Sequence, residues 1–357
     1  MSMIRKLTPV AIAIAALCAT PAFASTGASA NASNNQSSTV ANQVNASNNT
    51  NSATLNNHVL EHASGNIGAN NAAGLSNQQA NDTSIAHAGP FSGDAVSNVE
   101  SGQTQNGSMD QTLSNLTNHA TLNSHVLEYA TGNIGANNAA GDHNQQTNGT
   151  AIANTRDEGN DGSTNATAEV GSNQSISVGH SLSWSGGHDG AELESHVLEH
   201  ASGNIGVNNA AGDSNQQGNS LSVAKAGEGN ASAMIGGGQS ASVASYSDSS
   251  SNTASLEDHV LEYATGNVGA NNAAGTNNQQ GNALAIAMSD DGLASASATN
   301  SQSLANMGTI TSYGNVNSAD LSEHVLEHAS GNVGVNNAAG GNNQQLNSLS
   351  IANSPNN

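Results

Sequence analysis

The chain has 357 residues, long enough for two ordinary domains, yet 35% are hydrophobic, 2% aromatic and 8% charged, against roughly 25% charged in a typical soluble domain. Asn, Gln, Ser, Thr, Gly and Ala fill the gap, which excludes an ordinary compact enzyme and leaves either disorder or repeated, backbone-dominated structure. Four Lys and Arg against 26 Asp and Glu give a formal net charge of −22, so binding to nucleic acid or to an anionic bilayer lacks the cations it needs.

In chain order, the N-terminus reads as an export address. Arg5 and Lys6 form a basic region, Val10 to Leu17 a short apolar run, and Ala22-Phe23-Ala24 supplies small residues for cleavage. The expectation is a secretory signal over 1–24, then a short leader over 25–29. The apolar run is too short to span a bilayer, and no later segment is apolar enough, so no membrane insertion is expected. The only cysteine, Cys18, falls inside the signal, and Leu17 stands where a lipoprotein signal wants a small residue. The exported chain is therefore expected to lack thiol, disulfide and lipid anchor. It keeps only Arg156 and Lys225 as cations, two against 26 acidic groups, a net charge near −24.

Beyond the leader one block recurs five times: HVLEHASGNIGANNAAGLSNQQ from His58, HVLEYATGNIGANNAAGDHNQQ from His125, HVLEHASGNIGVNNAAGDSNQQ from His196, HVLEYATGNVGANNAAGTNNQQ from His259 and HVLEHASGNVGVNNAAGGNNQQ from His324. Leu55, Leu122, Leu193, Leu256 and Leu321 precede the blocks by three positions, and an Asn follows each Gln pair by two. A looser half keeps a Gln followed by alternation, as in Gln174-Ser-Ile-Ser-Val and Gln239-Ser-Ala-Ser-Val; it is weakest in the second copy, with Pro90 and Gln103-Thr-Gln-Asn-Gly. The expected units are 30–88, 89–155, 156–226, 227–288 and 289–353, each roughly 65 residues, with a tail over 354–357. Copies one, three and five read Glu-His-Ala-Ser; two and four read Glu-Tyr-Ala-Thr. Duplication of a two-unit segment explains this, and so does avoidance of five stacked imidazoles.

Period-2 alternation marks strands. Gln217, Asn219, Leu221 and Val223 share one face with Ser220 and Ser222 on the other; Ile205 and Val207 share a face with Asn209 and Ala211. Gly203, Gly206 and Gly212 punctuate these strands. Leu-x-x-His-Val-Leu-Glu is ambiguous: Leu122, Val126, Leu127 and Ala130 fit a helical stripe, whereas Leu122, Ser124, Val126 and Glu128 would share a strand face. The strand is preferred, because a lone three-turn helix is marginal. One unit has too few large apolar side chains to offset its chain entropy, so the units must stack. The fold class is all-β: a stacked repeat, β-solenoid or cross-β amyloid, of five units.

In-register stacking puts identical residues in rows, and rows of Asn or Gln amides bond along a stack. The expected fibril-core ladders are Asn70, Asn137, Asn208, Asn271 and Asn336; Asn71, Asn138, Asn209, Asn272 and Asn337; Asn77, Asn144, Asn215, Asn278 and Asn343; Gln78, Gln145, Gln216, Gln279 and Gln344; and Gln79, Gln146, Gln217, Gln280 and Gln345. Each end of such a stack is an open edge that templates another molecule.

The tract Gly206-Val-Asn-Asn-Ala-Ala-Gly-Asp-Ser-Asn-Gln-Gln217 resembles the repeat motif of the functional amyloid fibril subunits of Pseudomonas, the Fap system. The resemblance fits all five copies. It implies export through a dedicated outer-membrane pore, self-assembly into extracellular fibrils with minor fibril subunits, and a biofilm-matrix role. Two departures stand out: the family's major subunit carries a Cys-x-x-Cys near its C-terminus and three widely spaced repeats, whereas this tail, Asn353-Ser-Pro-Asn-Asn357, has no cysteine and the repeats number five.

His196, Glu199 and His200 would face one metal if helical. Tyr129 and Tyr263 replace the second His in copies two and four, and no His-Glu-x-x-His order occurs, so stacked imidazole and carboxylate rows are the preferred reading. A pH response follows from the His58, His125, His196, His259 and His324 row beside the Glu61, Glu128, Glu199, Glu262 and Glu327 row, whose carboxylates repel unless neutralised; assembly is expected to be faster near pH 5.5 than at pH 8. No enzyme, cofactor or catalytic residue is expected: there is no nucleophile elbow or P-loop, Gly203-Asn-Ile-Gly-Val recurs without a basic residue, and only Asp142 and Asp213 occupy a loop where calcium repeats need a regular Asp. The expected function is a secreted, self-assembling fibril subunit; the alternatives are a monomeric surface β-solenoid adhesin binding through its variable loops, and a disordered matrix filler.

Overall fold

A computed structural model describes residues 27–40, 44–89, 93–107, 111–156, 164–305, 310–312 and 314–354. The signal expected over 1–24, together with Pro90 and Pro355, lies outside the described residues. Every regular element is a strand. The first rung is β1 (Ala28–Val40), β2 (Val44–Ser47), β3 (Thr50–Asn56), β4 (Ser64–Ala73) and β5 (Gln78–Ala88). The second is β6 (Ala95–Gly107), β7 (Gln111–Ser114), β8 (Thr117–Asn123), β9 (Thr131–Ala140) and β10 (Gln145–Thr155). The third is β11 (Ala166–Ser185), β12 (His188–Glu194), β13 (Ser202–Ala211) and β14 (Gln216–Glu228). The fourth is β15 (Ala231–Asp248), β16 (Ser251–Glu257), β17 (Thr265–Thr276) and β18 (Gln279–Asp291). The fifth is β19 (Ala294–Ala305), β20 (Ile310–Ser312), β21 (Val316–Ser322), β22 (Ser330–Gly341) and β23 (Gln344–Asn353).

Each strand pairs in parallel with its counterpart in the next copy, residue for residue: Gln36 with Gln103, Leu55 with Leu122, Asn70 with Asn137, Gln78 with Gln145. One copy is therefore one layer, and the chain is a five-rung β-solenoid of four parallel sheets. Three sheets have five strands, β3-β8-β12-β16-β21, β4-β9-β13-β17-β22 and β5-β10-β14-β18-β23. The fourth follows β1-β6-β11-β15-β19, with β2, β7 and β20 continuing it on rungs where the strand is broken.

Alternation places the side chains as expected. From β14, Asn219 donates to the Val207 carbonyl on one side, while Ser222 donates to the Ala168 carbonyl on the other. That second face closes a core made mainly of alanine, in which Ala151, Ala153, Ala224 and Ala226 meet Ala166, Ala168, Ala231 and Ala233. So many small side chains let two sheets bury each other closely, which is how a chain poor in large apolar residues builds an interior. The larger side chains collect in a second core, where Leu122, Val126, Leu127 and Ile134 of rung two lie against Leu193, Val197, Leu198 and Ile205 of rung three.

The segment after each leading leucine is neither the preferred strand nor a helix. It is a tight arc in which left-handed residues recur: Asn57, His58, Leu60 and His62 have φ of 64°, 58°, 59° and 54°, and the other four copies match. A strand would send Val126 and Leu127 to opposite faces. The arc turns both inward, each fully buried. Left-handed backbone costs about 1–2 kcal/mol per non-glycine residue, offset here by bonds between rungs that run alternately up and down: His125 N–H to the Ser195 carbonyl (3.0 Å) and Leu127 N–H to the Val59 carbonyl (2.9 Å).

The glycines also divide differently. Gly212 turns the chain with φ of 98°, and a Cβ there would strike the Gly275 carbonyl of the next rung. Gly203, at the start of β13, behaves likewise, with φ of 116° and a Cβ that would strike the Gly132 carbonyl of the rung before; Gly206 instead lies within β13, where a Cβ would sit 2.5 Å from the Asn148 amide oxygen, so that glycine makes room for an asparagine row.

Candidate functional site

Four of the five expected ladders run amide to amide through all rungs. The Asn70 row is joined by Asn137 to Asn70 (2.9 Å), Asn208 to Asn137 (2.9 Å), Asn271 to Asn208 (2.8 Å) and Asn336 to Asn271 (3.0 Å). The Gln78 row has the same direction, each amide donating to the rung before it. The Asn71 and Gln79 rows run the opposite way: Asn71 donates to Asn138 and Asn272 to Asn337, Gln79 to Gln146 and Gln280 to Gln345. Backbone carbonyls fix these directions. Asn209 Nδ2 also donates to the carbonyls of Ala191 and Ser255, and Gln217 Nε2 to that of Asn209, so a flipped amide would lose several bonds.

The fifth row differs. Asn144 Nδ2 donates to the Gly212 carbonyl (2.8 Å), while its Oδ1 accepts the Asn215 backbone N–H (3.0 Å). Asn77, Asn215 and Asn278 do the same with their own neighbours, and an amide-to-amide bond appears at Asn343 to Asn278. A turn at this position leaves backbone groups unpaired, and the asparagine takes them up. Two further ladders extend the set: Asn81, Asn148, Asn219, Asn282 and Asn347, and Gln36, Gln103, Gln174, Gln239 and Gln302. Both were visible as recurring residues, the Asn after the Gln pair and the Gln of the loose half. Gln103 stands fully in register despite the irregular sequence around it.

The arcs stack a column of rings on the surface. His58, His125, His196, His259 and His324 lie face to face at 4.8–4.9 Å with planes within 2–6°, so this column stacks five imidazoles. A second column alternates His62, Tyr129, His200, Tyr263 and His328 at 4.8–5.0 Å. Each first-column imidazole meets the glutamate three residues on: His58 Nδ1 is 2.7 Å from Glu61, and His125, His196, His259 and His324 meet Glu128, Glu199, Glu262 and Glu327. In odd copies the other carboxylate oxygen lies 3.4 Å from the second histidine, as in Glu61 with His62 and Glu327 with His328. The helix that would gather His196, Glu199 and His200 around one ion does not form; both imidazoles are directed onto the Glu199 oxygens instead. The hydrogen bond to Glu262 raises the pKa of His259, and that from His324 lowers the pKa of Glu327.

Among the described residues nothing covers the outer faces of the first and fifth rungs. Val316, Val333, Leu346, Leu349 and Ile351 of the last rung are 39–63% exposed, whereas Leu193, Ile205 and Leu256 inside are at most 1% exposed. Among the described residues, each of the four amide ladders ends with the bond along the stack unmade. On the first rung the Asn70 and Gln78 amides face out as donors, and the oxygens of Asn71 and Gln79 as acceptors. On the last rung Asn336 and Gln344 offer oxygens, and Asn337 and Gln345 offer donors.

Comparison with known proteins decides what kind of chain this is. The family described as "Functional amyloid protein FapB/FapC family" matches residues 10–115, 96–250 and 232–357. The chain belongs to the FapB/FapC family. A relative from Pseudomonas aeruginosa, "Functional amyloid subunit FapC", is 30% identical over 322 residues, which is 79% of this chain and 94% of the relative. No solved structure matches the chain. In this FapB/FapC chain the block that carries the resemblance, Gly206 to Gln217, is also the stretch with the densest ladders, three asparagines and two glutamines of one rung all being fully buried.

Proposed function

We propose that the chain is a structural, non-enzymatic subunit that polymerises into extracellular amyloid fibrils supporting a biofilm matrix and surface adhesion. Its expected route is a secretory signal and a dedicated outer-membrane pore, with minor fibril subunits as further partners. The observation that carries this reading is the polarity of the ladders. Because the Asn70 and Gln78 rows run one way and the Asn71 and Gln79 rows the other, the last rung of one copy complements the first rung of another at all four positions. A head-to-head contact would reverse the strands and lose this position-for-position match. Polymerisation is thus continuation of the intramolecular stack, with exposed backbone edges supplying the rest of the drive.

The test is fibre diffraction from aligned material grown from the chain beginning at Ser25. Reflections near ~4.7 Å along the axis and ~10 Å across it are expected, and homogeneous fibres should keep the five-rung subunit as their repeat. A solution that stays monomeric, with nothing to align, overturns the proposal.

A further inference from the structure

The geometry points to a proton-gated junction between copies, in which histidines are the only cationic groups that the first and last rungs themselves hold. This inference rests on the head-to-tail polymer proposed above. Its ingredients are the residues of the two end rungs. Between Gly27 and Gly89 the charged or titratable side chains are His58, Glu61, His62, Asp82 and His87; between Ala294 and Ser354 they are Asp320, Glu323, His324, Glu327 and His328. Neither rung contains lysine or arginine. Five carboxylates therefore face five imidazoles across the junction, with no other ionisable group in either rung except the Tyr313 phenol.

Position brings them together. Continuing the register across the junction sets Asp320 over Thr54, because the row Thr54, Thr121, Glu192, Ser255, Asp320 is the one the sheet already forms. It sets the Glu323 arc over Asn57, His324 over His58, Glu327 over Glu61 and His328 over His62. The number of rungs matters here. Odd copies carry the second histidine and five is odd, so the alternating column meets itself as His328 on His62 with no phenol between. Behind these layers stand Asp94, Glu100, His119, His125, Glu128, Tyr129, Asp142, His143 and Arg156 on one side, Arg156 being bonded through its backbone N–H to the Ala88 carbonyl, and Glu257, Asp258, His259, Glu262, Tyr263, Asp290 and Asp291 on the other.

The sign follows from the count. Above the histidine range the first rung carries two negative charges and the last rung three, and they repel. Below it, with carboxylates still ionised, the first rung becomes +1 and the last −1, and the junction as a whole is neutral. Burial raises the Asp82 pKa, which moves the first rung further in the same direction. The proximity of His62 to His328 opposes this, but both rings already have a shared carboxylate, Glu61 and Glu327, within 3.4 Å. Interior rungs hold more carboxylates than the end rungs and do not dissociate, since the chain ties them together. The response belongs to the ends.

The experiment is seeded elongation at pH 8 and pH 5.5 in low salt, read as the initial rate on sheared wild-type seeds. Wild-type chain is expected to add about tenfold faster at pH 5.5, the lower range of electrostatic steering, with the difference removed at high salt. The double variant His62→Tyr with His87→Gln, made in both seed and monomer, leaves the first rung at −1 even when protonated and should lose the acceleration. An interior control, His188→Gln with His200→Tyr, removes as many histidines and should keep it. Thr54→Lys adds a fixed cation under Asp320 at an exposed position, which takes the first rung from −2 to −1 at pH 8, and should raise the pH 8 rate part of the way toward that at pH 5.5. Equal wild-type rates at the two pH values, or loss of acceleration in the interior control, overturn the proton-gated junction while leaving the polymer intact. Failure of wild-type chain to elongate seeds at either pH overturns the polymer reading itself.

Discussion

His143 is where one copy departs most from its row. Its counterparts are Ser76, Ser214, Asn277 and Asn342, all at the left-handed corner after the turning glycine, with φ between 55° and 61°. His143 is buried, its Nδ1 has no hydrogen-bond partner, and burial lowers its pKa from 6.5 to about 4. The folded chain therefore keeps this ring neutral while the unfolded chain protonates it. The stability tied to that difference is complete above pH 6.5 and is lost as pH falls toward 4, reaching ~3 kcal/mol there. His143→Ser, the residue of the first and third rungs, should remove this loss. Guanidinium midpoints at pH 7 and pH 4 check it: the variant should fall less on acidification, and identical pH dependence in variant and wild type rules the account out. Acid thus works in two directions, favouring the junction between copies while weakening the second rung.

At the scale of elements, strands were legible and arcs were not, for a physical reason. Alternation along Gln216 to Glu228 is a direct consequence of a pleated backbone, and five near-identical blocks leave only in-register stacking to satisfy their amides. The arc is built from His, Leu and Tyr in left-handed conformations, residue types with no local preference for them; beside short local bonds such as Ala130 N–H to the Leu127 carbonyl, bonds to neighbouring rungs hold them, and one copy's sequence does not contain those. The backbone bonds of the Asn77 row were hidden in the same way, since the residue type announces an amide but the turn decides its partner. The alanine core was hidden by its composition, small residues being as common in loops as in interiors. The arc leucines give a test. Leu198 is fully buried while Leu60, its end-rung counterpart, is 39% exposed. Leu198→Ala should destabilise the monomer by about 2–5 kcal/mol, and Leu60→Ala by much less. In fibres, where another copy covers the first rung, the two losses should converge. Denaturant midpoints of monomer and fibre distinguish the cases; equal costs in the monomer would show that the first rung is already covered.

The whole molecule is quasi-one-dimensional, each rung touching only the rungs beside it, so stability grows with the number of interfaces while the surfaces that recruit another copy belong to the end rungs alone. These two properties separate under deletion. Removing rungs three and four, from Ala166 to Leu293, brings Ala294 to the place of Ala166, where it pairs with Ala95 just as Ala166 does. The alternating column then reads His62, Tyr129, His328, so its order survives, and so do all ten titratable groups of the two ends. Four rung interfaces within the chain, and one beyond it in a fibre, become two and one, and the monomer should unfold at markedly lower denaturant. Elongation should behave otherwise. Because a growing end presents only a first or a fifth rung, the three-rung chain should add to wild-type seeds, and wild-type chain to three-rung seeds, with the same preference for pH 5.5. If the shortened chain folds, as shown by its strand signal, yet neither seeds nor is seeded by the full-length chain, then recognition extends into the interior rungs, and the ladder ends alone do not specify the partner.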